Sequence, residues 1–230
     1  MKKSLTICPN NQETIGGFCW IAFQLTLLPQ LLIYGNARLA QPLNDAQLNF
    51  VFYLLNFMAT LLIFHDFLGS SLSQVWRHPA YFCQAVILGF VAYYACAEAT
   101  GWLIGKLVPS YSNYNDEAIF AMRGTNHFLM LIGTVVLVPP AEECIFRGLI
   151  FRRLYSRNRW AAYIVSIAAF ACLHVLSYLG SYSPLELLMA VLQYLPAGLC
   201  LAWSYAKADT IFAPIAIHAA VNYITINGLR

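Results

Sequence analysis

The stretch that decides the fold is Val138–Arg153, with the sequence VPPAEECIFRGLIFRR. It places two adjacent carboxylates, Glu142 and Glu143, and the guanidinium of Arg147 inside an apolar run long enough to be buried in a membrane. A charge at the bilayer centre costs about 3 kcal/mol on insertion scales, so such groups persist when they pair, face water or take part in chemistry. The stretch therefore predicts a membrane helix with a functional polar face.

Two consecutive prolines, Pro139 and Pro140, precede the carboxylates. Proline disrupts the interior of a helix but is well placed at a helix start. We therefore expect the helix to break at Pro139-Pro140. A fresh helix would then carry both carboxylates in its first turn, where the positive end of the helix dipole favours them.

Residue spacing separates the two acids. Glu143 and Arg147 are four positions apart, so they share one helix face and can form an ion pair. Glu142 lies about 100° away around the helix. One carboxylate is therefore expected to be held by the arginine, while the other is free to act on something else.

The composition indicates a polytopic membrane protein without a separate soluble domain. The chain has 230 residues, of which 60% are hydrophobic and 10% are charged, whereas an ordinary soluble domain is about 25% charged. The net charge of +3 is small and does not indicate a nucleic-acid partner. The seven cysteines form no C-x-x-C pair and no metal-binding spacing, so most are expected to be packing residues.

The predicted fold class is all-α: a polytopic membrane helical bundle of about seven transmembrane helices, with one helix broken at Pro139-Pro140. A span takes about 20 apolar residues. The polar loop 109–126 is expected outside the membrane. The spans are expected at Ile15–Tyr34, Leu48–Leu68, Tyr81–Val108, His127–Leu154, Trp160–Leu179, Leu185–Tyr205 and Ile211–Leu229.

Loop charges predict the orientation, because cytoplasmic loops carry an excess of lysine and arginine. With seven spans, most of the basic residues fall on one side of the membrane. The N-terminus is therefore expected in the cytoplasm and the C-terminus on the far side. The basic residues on the cytoplasmic side are Lys2, Lys3, Arg77, Arg152, Arg153, Arg157, Arg159 and Lys207.

Two further polar pairs lie in the later spans. The pattern Phe170-x-x-x-His174 puts a ring and an imidazole on one face of the fifth span, and His218-x-x-x-Asn222 does the same for an imidazole and a carboxamide in the last one. Alone, either set is explained by packing or by an interhelical hydrogen bond. Together with Glu142 they supply a base, a second proton-handling group and donors for a developing oxyanion.

The order E-E-x-x-x-R, F-x-x-x-H and H-x-x-x-N on successive helices resembles the CPBP family. This family comprises CAAX prenyl endopeptidases and bacterial bacteriocin-processing or self-immunity proteins, and it is also called the Abi family. The resemblance covers about residues 139–222 and implies an all-helical intramembrane protease with a catalytic cavity between helices. Residues 1–125 would form the first three spans, and residues 126–230 the catalytic core, of one integral membrane domain.

The resemblance also implies roles for the motif residues. The first glutamate and the first histidine activate water, while the later histidine and the asparagine bind the oxyanion. Glu143 and Arg147 occupy the accompanying positions, where the spacing already predicts a structural ion pair. The four residues that the resemblance makes catalytic are Glu142, His174, His218 and Asn222.

These observations predict an endopeptidase that hydrolyses a peptide bond of a membrane-associated protein or peptide with a glutamate-activated water. Its expected surroundings are a lipid bilayer, in a bacterial or archaeal cell membrane, and no nucleic acid. Prenylation of the substrate is left open.

Three alternatives remain. A zinc protease could use Glu142, His174 and His218 as ligands, because three protein ligands plus water is a catalytic zinc pattern. We favour a metal-independent site, since His218 and Asn222 suit two donors that converge on one carbonyl oxygen. A non-proteolytic immunity or scaffold protein could share the fold. A transporter is the weakest alternative, because no inverted repeat is evident.

Overall fold

The computed structural model describes residues 5–228, and all regular structure in that range is helical. The predicted cytoplasmic charges of Lys2 and Lys3 and the predicted end of the last span at Leu229 lie outside the described residues. The helices are α1 (Asn11–Asn36), α2 (Asp45–Ile63), α3 (His65–Arg77), α4 (Pro79–Leu107), α5 (Tyr114–Thr125), α6 (His127–Tyr155), α7 (Arg159–Leu176), α8 (Pro184–Ala208) and α9 (Phe212–Ile226).

The predicted multi-pass helical bundle is confirmed. Among residues 5–228, six helices, namely α1, α2, α4, α6, α7 and α8, are long and apolar enough to cross a membrane. The expected seventh span is α9, which is apolar but has only 15 residues. At 1.5 Å per residue it is about 22 Å long, shorter than the roughly 30 Å of a bilayer core. Helix α9 therefore packs within the bundle, against α4, α6 and α8, and is too short to cross the bilayer core on its own.

Two segments differ from the expected bounds. The second span ends at Ile63 instead of Leu68, because Phe64 leaves helical geometry (φ −102°, ψ 27°) and α3 begins at the next residue. The segment 109–126, predicted as a polar loop, contains helix α5. This helix is started by Asn113, whose side-chain oxygen accepts hydrogen bonds from the two backbone N–H groups at Asn115 and Asp116.

The expected break at Pro139-Pro140 is a change of hydrogen-bond register within a continuous helix of 29 residues. Residues 133–137 are π-helical, residues 138–143 are α-helical and residues 144–151 are π-helical again. The prediction that both carboxylates lie in the first turn of a fresh helix is therefore wrong. They are the last two residues of the central α segment, where no free helix start is present.

The proline pair explains how the first π segment is anchored. The N–H of Val138 donates to the carbonyl of Gly133, five residues earlier. In the same register the residue at position 139 would donate a hydrogen bond to the carbonyl of Thr134, but Pro139 has no N–H to donate. The side chain of Asn222 on α9 donates to this carbonyl instead, with an Nδ2···O distance of 2.8 Å. The backbone carbonyl of α6 that the proline leaves unpaired thus accepts a hydrogen bond from a motif residue of another helix.

Helix α8 lies in the middle of the bundle, packed against α4, α7 and α9. Its approach to α7 is close at Gly198, where an added Cβ would lie 3.2 Å from the backbone Cα of Ile167. This approach brings the carbonyl of Gly198 to the buried side of α6. The division of the chain at residue 125 stays a prediction.

Candidate active site

Glu142 lies on the wall of a cavity of about 540 Å³ between the helices. Its carboxylate is one-fifth exposed, with Oε2 placed 3.8 Å from Nε2 of His174 and 4.0 Å from Nε2 of His218. The structure therefore brings together an acid and two imidazoles from α6, α7 and α9. Their catalytic roles stay predictions.

His174 is held by its own helix and by two aromatic rings. Its Nδ1 lies 2.9 Å from the carbonyl oxygen of Phe170. A carbonyl can only accept, so Nδ1 carries the proton and Nε2 is the atom presented to Glu142. The imidazole packs between Phe170 and Tyr194, with both ring centroids at 4.5 Å. The plane of the imidazole is thus fixed from both sides.

Glu143 is fully buried and holds two cationic or donor groups at once. Its Oε1 accepts a hydrogen bond from Nη1 of Arg147 at 3.0 Å, the ion pair expected from the spacing. The same oxygen lies 2.9 Å from Nδ1 of His218. Because a carboxylate paired with arginine only accepts, His218 donates from Nδ1 and turns Nε2 towards Glu142. The sequence did not predict this orienting contact.

Arg147 is the largest fully buried side chain among the described residues. Besides its bond to Glu143, its Nη2 donates to the carbonyl of Gly198 at 3.3 Å. Its guanidinium carbon also lies 4.7 Å from the ring centroid of Phe170, within the range of a cation–π contact. Helices α6, α7 and α8 therefore meet around one cation.

Asn222 is one helical turn from His218 on α9, and its carboxamide is already engaged. One N–H of Nδ2 donates to the carbonyl of Thr134. The second N–H is the one that could reach a substrate, since an amide nitrogen carries two donors. The predicted role of Asn222 as an oxyanion donor depends on that second N–H.

The formal charges of the site are unbalanced when both imidazoles are neutral. Glu142 and Glu143 contribute two negative charges and Arg147 one positive charge. A net charge is expensive to keep inside a membrane protein. One further proton on an imidazole, or a bound cation, would balance the site.

Metal binding is chemically reasonable but geometrically incomplete. Within residues 5–228, no group of three or more His, Cys, Asp or Glu side chains is arranged to hold a metal ion. Tetrahedral zinc with bonds of about 2.0–2.1 Å places its ligand atoms about 3.3–3.4 Å apart. The oxygen–nitrogen distances of 3.8 and 4.0 Å around Glu142 are somewhat longer. The donor types fit zinc, and the side chains would have to close by a few tenths of an ångström.

Helix α5, which the sequence had suggested was a loop, forms part of the cavity wall. Residues on the inner side of α5 line the cavity. The segment before it is tied to α8, because Tyr111 donates to Gln193 at 2.9 Å and Asn113 donates to the hydroxyl of Tyr194 at 3.1 Å. Burial raises the pKa of the Tyr111 hydroxyl, which is a donor at neutral pH in any case.

The sequence motifs missed the contribution of the N-terminal half. Asn49, Tyr53 and Asn56 on α2 line the same cavity as Glu142. They are spaced i, i+4 and i+7 within a mostly apolar span, which places them on one helix face. That periodicity was visible in the sequence and could have identified α2 as a cavity wall. Tyr194, which packs on His174, belongs to no sequence motif or spacing that would have identified it.

Residues 124–224 match the family model of type II CAAX prenyl endopeptidase Rce1-like proteins. No curated protein and no solved structure shows significant similarity to the chain. The match includes all the motif residues and confirms the resemblance stated from them. This region of the chain is therefore similar to the type II CAAX prenyl endopeptidases.

Proposed function

We propose that the protein hydrolyses a peptide bond of a membrane-associated peptide, with Glu142 as the base that activates water. The observation that carries this proposal is a buried carboxylate oxygen that lacks a hydrogen-bond partner. Oε2 of Glu142 is buried at the cavity wall, has no hydrogen-bond partner among the described residues and faces two imidazole nitrogens. A buried carboxylate oxygen without a partner is expensive unless a water or a substrate group binds there.

The proposed reaction uses that position for the attacking water. Glu142 and His174 hold the water, and the carboxylate takes one of its protons as the oxygen attacks the scissile carbonyl. The C–O bond forms while the carbonyl oxygen becomes an oxyanion. Collapse of this intermediate breaks the C–N bond, and the proton on Glu142 passes to the leaving amine. The products are a carboxylic acid and an amine, so the glutamate is regenerated.

The oxyanion would be stabilised by His218 and Asn222. For His218 this requires a proton on Nε2 as well as on Nδ1. Its Nδ1–H stays on the carboxylate of Glu143, which directs the second N–H into the cavity. Asn222 would contribute its remaining amide N–H. Donors fixed before the reaction are worth most in a site that excludes water.

The family match supports a peptide substrate with a CAAX-type C-terminus, and a prenyl group on its cysteine is part of the proposal. A suitable probe is a farnesylated CAAX peptide with a fluorophore and a quencher on either side of the expected cleavage point. The protein would be purified in detergent. An unfarnesylated peptide of the same sequence shows whether the lipid is needed.

The test of the base is Glu142→Gln, which keeps the shape of the side chain and removes the proton acceptor. Cleavage should fall about 10²–10⁴-fold, while the melting temperature should stay near that of the wild type. Glu98→Gln is the matched control, because Glu98 is an exposed carboxylate on α4 that does not line the cavity. Near-normal cleavage by Glu142→Gln would refute the assignment.

If the wild type leaves the probe intact, membrane proteomes of cells carrying the wild type or Glu142→Ala would be compared. Peptides that shorten only with the wild type would identify the substrate.

Zinc remains the second candidate mechanism, because both imidazoles use Nδ1 for protein hydrogen bonds and present Nε2 to Glu142. Protein partners on the other ring nitrogen are typical of zinc-bound histidines. We favour the metal-independent reaction. It predicts that activity survives prolonged chelation and that elemental analysis finds no stoichiometric zinc. Activity lost on chelation and restored specifically by zinc would favour His174 and His218 as ligands.

A further inference from the structure

Tyr53 brings a phenol from α2 to the cavity that contains Glu142. Its ring lies directly on the first π segment of α6. An added Cβ on Gly133 would lie 2.7 Å from Cδ2 of Tyr53, a distance that side chains do not tolerate. Glycine at this position therefore leaves the space that the tyrosine ring occupies. The neighbouring residue, Thr134, holds Asn222, so Tyr53 and Asn222 are both placed by the same π segment.

The hydroxyl of Tyr53 is oriented by Asn49, one helical turn earlier. Nδ2 of Asn49 lies 3.0 Å from the phenolic oxygen. An amide nitrogen can only donate, so the phenolic oxygen accepts and its own proton points elsewhere. The hydrogen bonds found among residues 5–228 include no acceptor for that proton.

We propose that Tyr53 donates a hydrogen bond to a carbonyl oxygen of the bound peptide, from the cavity wall formed by α2. This inference rests on the proposed function and assigns a substrate contact to the N-terminal half of the protein. A peptide offers such acceptors at every residue. A partly buried hydroxyl without a protein acceptor is left to water in the cavity, and a substrate carbonyl in its place would complete its hydrogen bonding. Asn49 acts through Tyr53 as a positioning residue.

The test is Tyr53→Phe, which keeps the ring on Gly133 and removes only the donor. We expect kcat/KM for the farnesylated probe to fall about tenfold, the effect of one hydrogen bond of ordinary strength. Tyr163→Phe is the matched control, because Tyr163 is a tyrosine of α7 that packs in another part of the core and does not line the cavity. Its kcat/KM should stay within twofold of the wild type.

A double-mutant cycle tests the orientation by Asn49. Asn49→Leu should weaken cleavage in the wild type but should add nothing to Tyr53→Phe, because its effect passes through the hydroxyl. A binding measurement without turnover uses fluorescence anisotropy of the probe in the Glu142→Gln background. This readout separates the contact from the identity of the base.

Weaker probe binding or a lower kcat/KM in Tyr53→Phe, with Tyr163→Phe unaffected, would support the contact. Unchanged binding together with unchanged kcat/KM would overturn it and leave the role of Glu142 intact. An equal loss in Tyr163→Phe would also overturn it, since the effect would then be general. Losses that multiply in the double variant would overturn the positioning role of Asn49.

Discussion

Replacing Glu143 by alanine would leave the guanidinium of Arg147 buried without a counter-charge. Both side chains have zero exposure, and after the change Arg147 would keep the carbonyl of Gly198 and the rings of Phe170 and Phe146, none of which carries a charge. Removing one partner of a buried ion pair costs about 3–5 kcal/mol. For a protein of this size, 1 kcal/mol corresponds to roughly 2–4 °C. We therefore expect a melting temperature that is lower by about 6–20 °C.

The assay is thermal unfolding of the purified protein in detergent, followed by intrinsic fluorescence. Glu142→Ala is the matched control, because the neighbouring carboxylate is one-fifth exposed and has ion-pair distances of 3.8 Å or more. It should melt within about 2 °C of the wild type, equivalent to less than 1 kcal/mol. The comparison therefore separates a structural acid from the proposed catalytic one.

A double variant makes the reasoning sharper. Glu143→Leu with Arg147→Met removes both charges, and replacing a buried ion pair by apolar side chains is often neutral. Its melting temperature should recover most of the loss. Its activity should not recover, because His218 would have lost the acceptor that orients Nδ1. The reasoning is refuted if Glu143→Ala and Glu142→Ala have the same melting temperature. It is also refuted if the melting temperature of the double variant is no higher than that of Glu143→Ala.

Three further predictions concern positioning, orientation and packing. Tyr194→Phe keeps the ring on His174 and should retain cleavage within about threefold of the wild type. Tyr194→Ala removes the ring, so it should lower kcat at least about tenfold and change the pH profile of kcat. Equal rates in the two variants would contradict this. Ser156→Cys in a cysteine-free background tests the predicted cytoplasmic side, and an impermeant thiol reagent should label it only after lysis; labelling of intact cells would invert the orientation. Gly198→Ala would press on Ile167 and cost about 1–3 kcal/mol by overpacking, so its melting temperature should drop, and an unchanged value would mean that the helices adjust freely.

The sequence identified the residues of the candidate site because their types and spacings carry local information. A four-residue interval places two side chains on one helix face, so the pairing of Glu143 with Arg147 followed directly. The meeting of Glu142 with His174 and His218 could be inferred only because the set would be costly to bury for packing alone. The structure places Nε2 of His174 and Nε2 of His218 at 3.8 and 4.0 Å from Oε2 of Glu142.

The sequence could not predict the contact between Glu143 and His218, which joins positions 75 residues apart. Nor could it predict the π segments, because apolar periodicity does not reveal the hydrogen-bond register within a helix. The prolines indicated a defect, and the expected break was one of two ways to accommodate it. The structure shows the other way, in which helix α6 continues through the prolines and the side chain of Asn222 donates a hydrogen bond to the free carbonyl of Thr134.

The π segments of α6 make the direction of Glu142 depend on the hydrogen-bond register of the helix. A π turn holds one residue more than an α turn, so each segment is equivalent to a single insertion. With α-helical bonding over residues 133–137 and no residue removed, Glu142 would be rotated by about 100° relative to residues 127–132. The acid would then face a different neighbour although the sequence was unchanged. Deleting one residue from 133–137 would restore α-helical bonding and keep the direction of Glu142, so chain length upstream of the prolines and helix register have to be compared together.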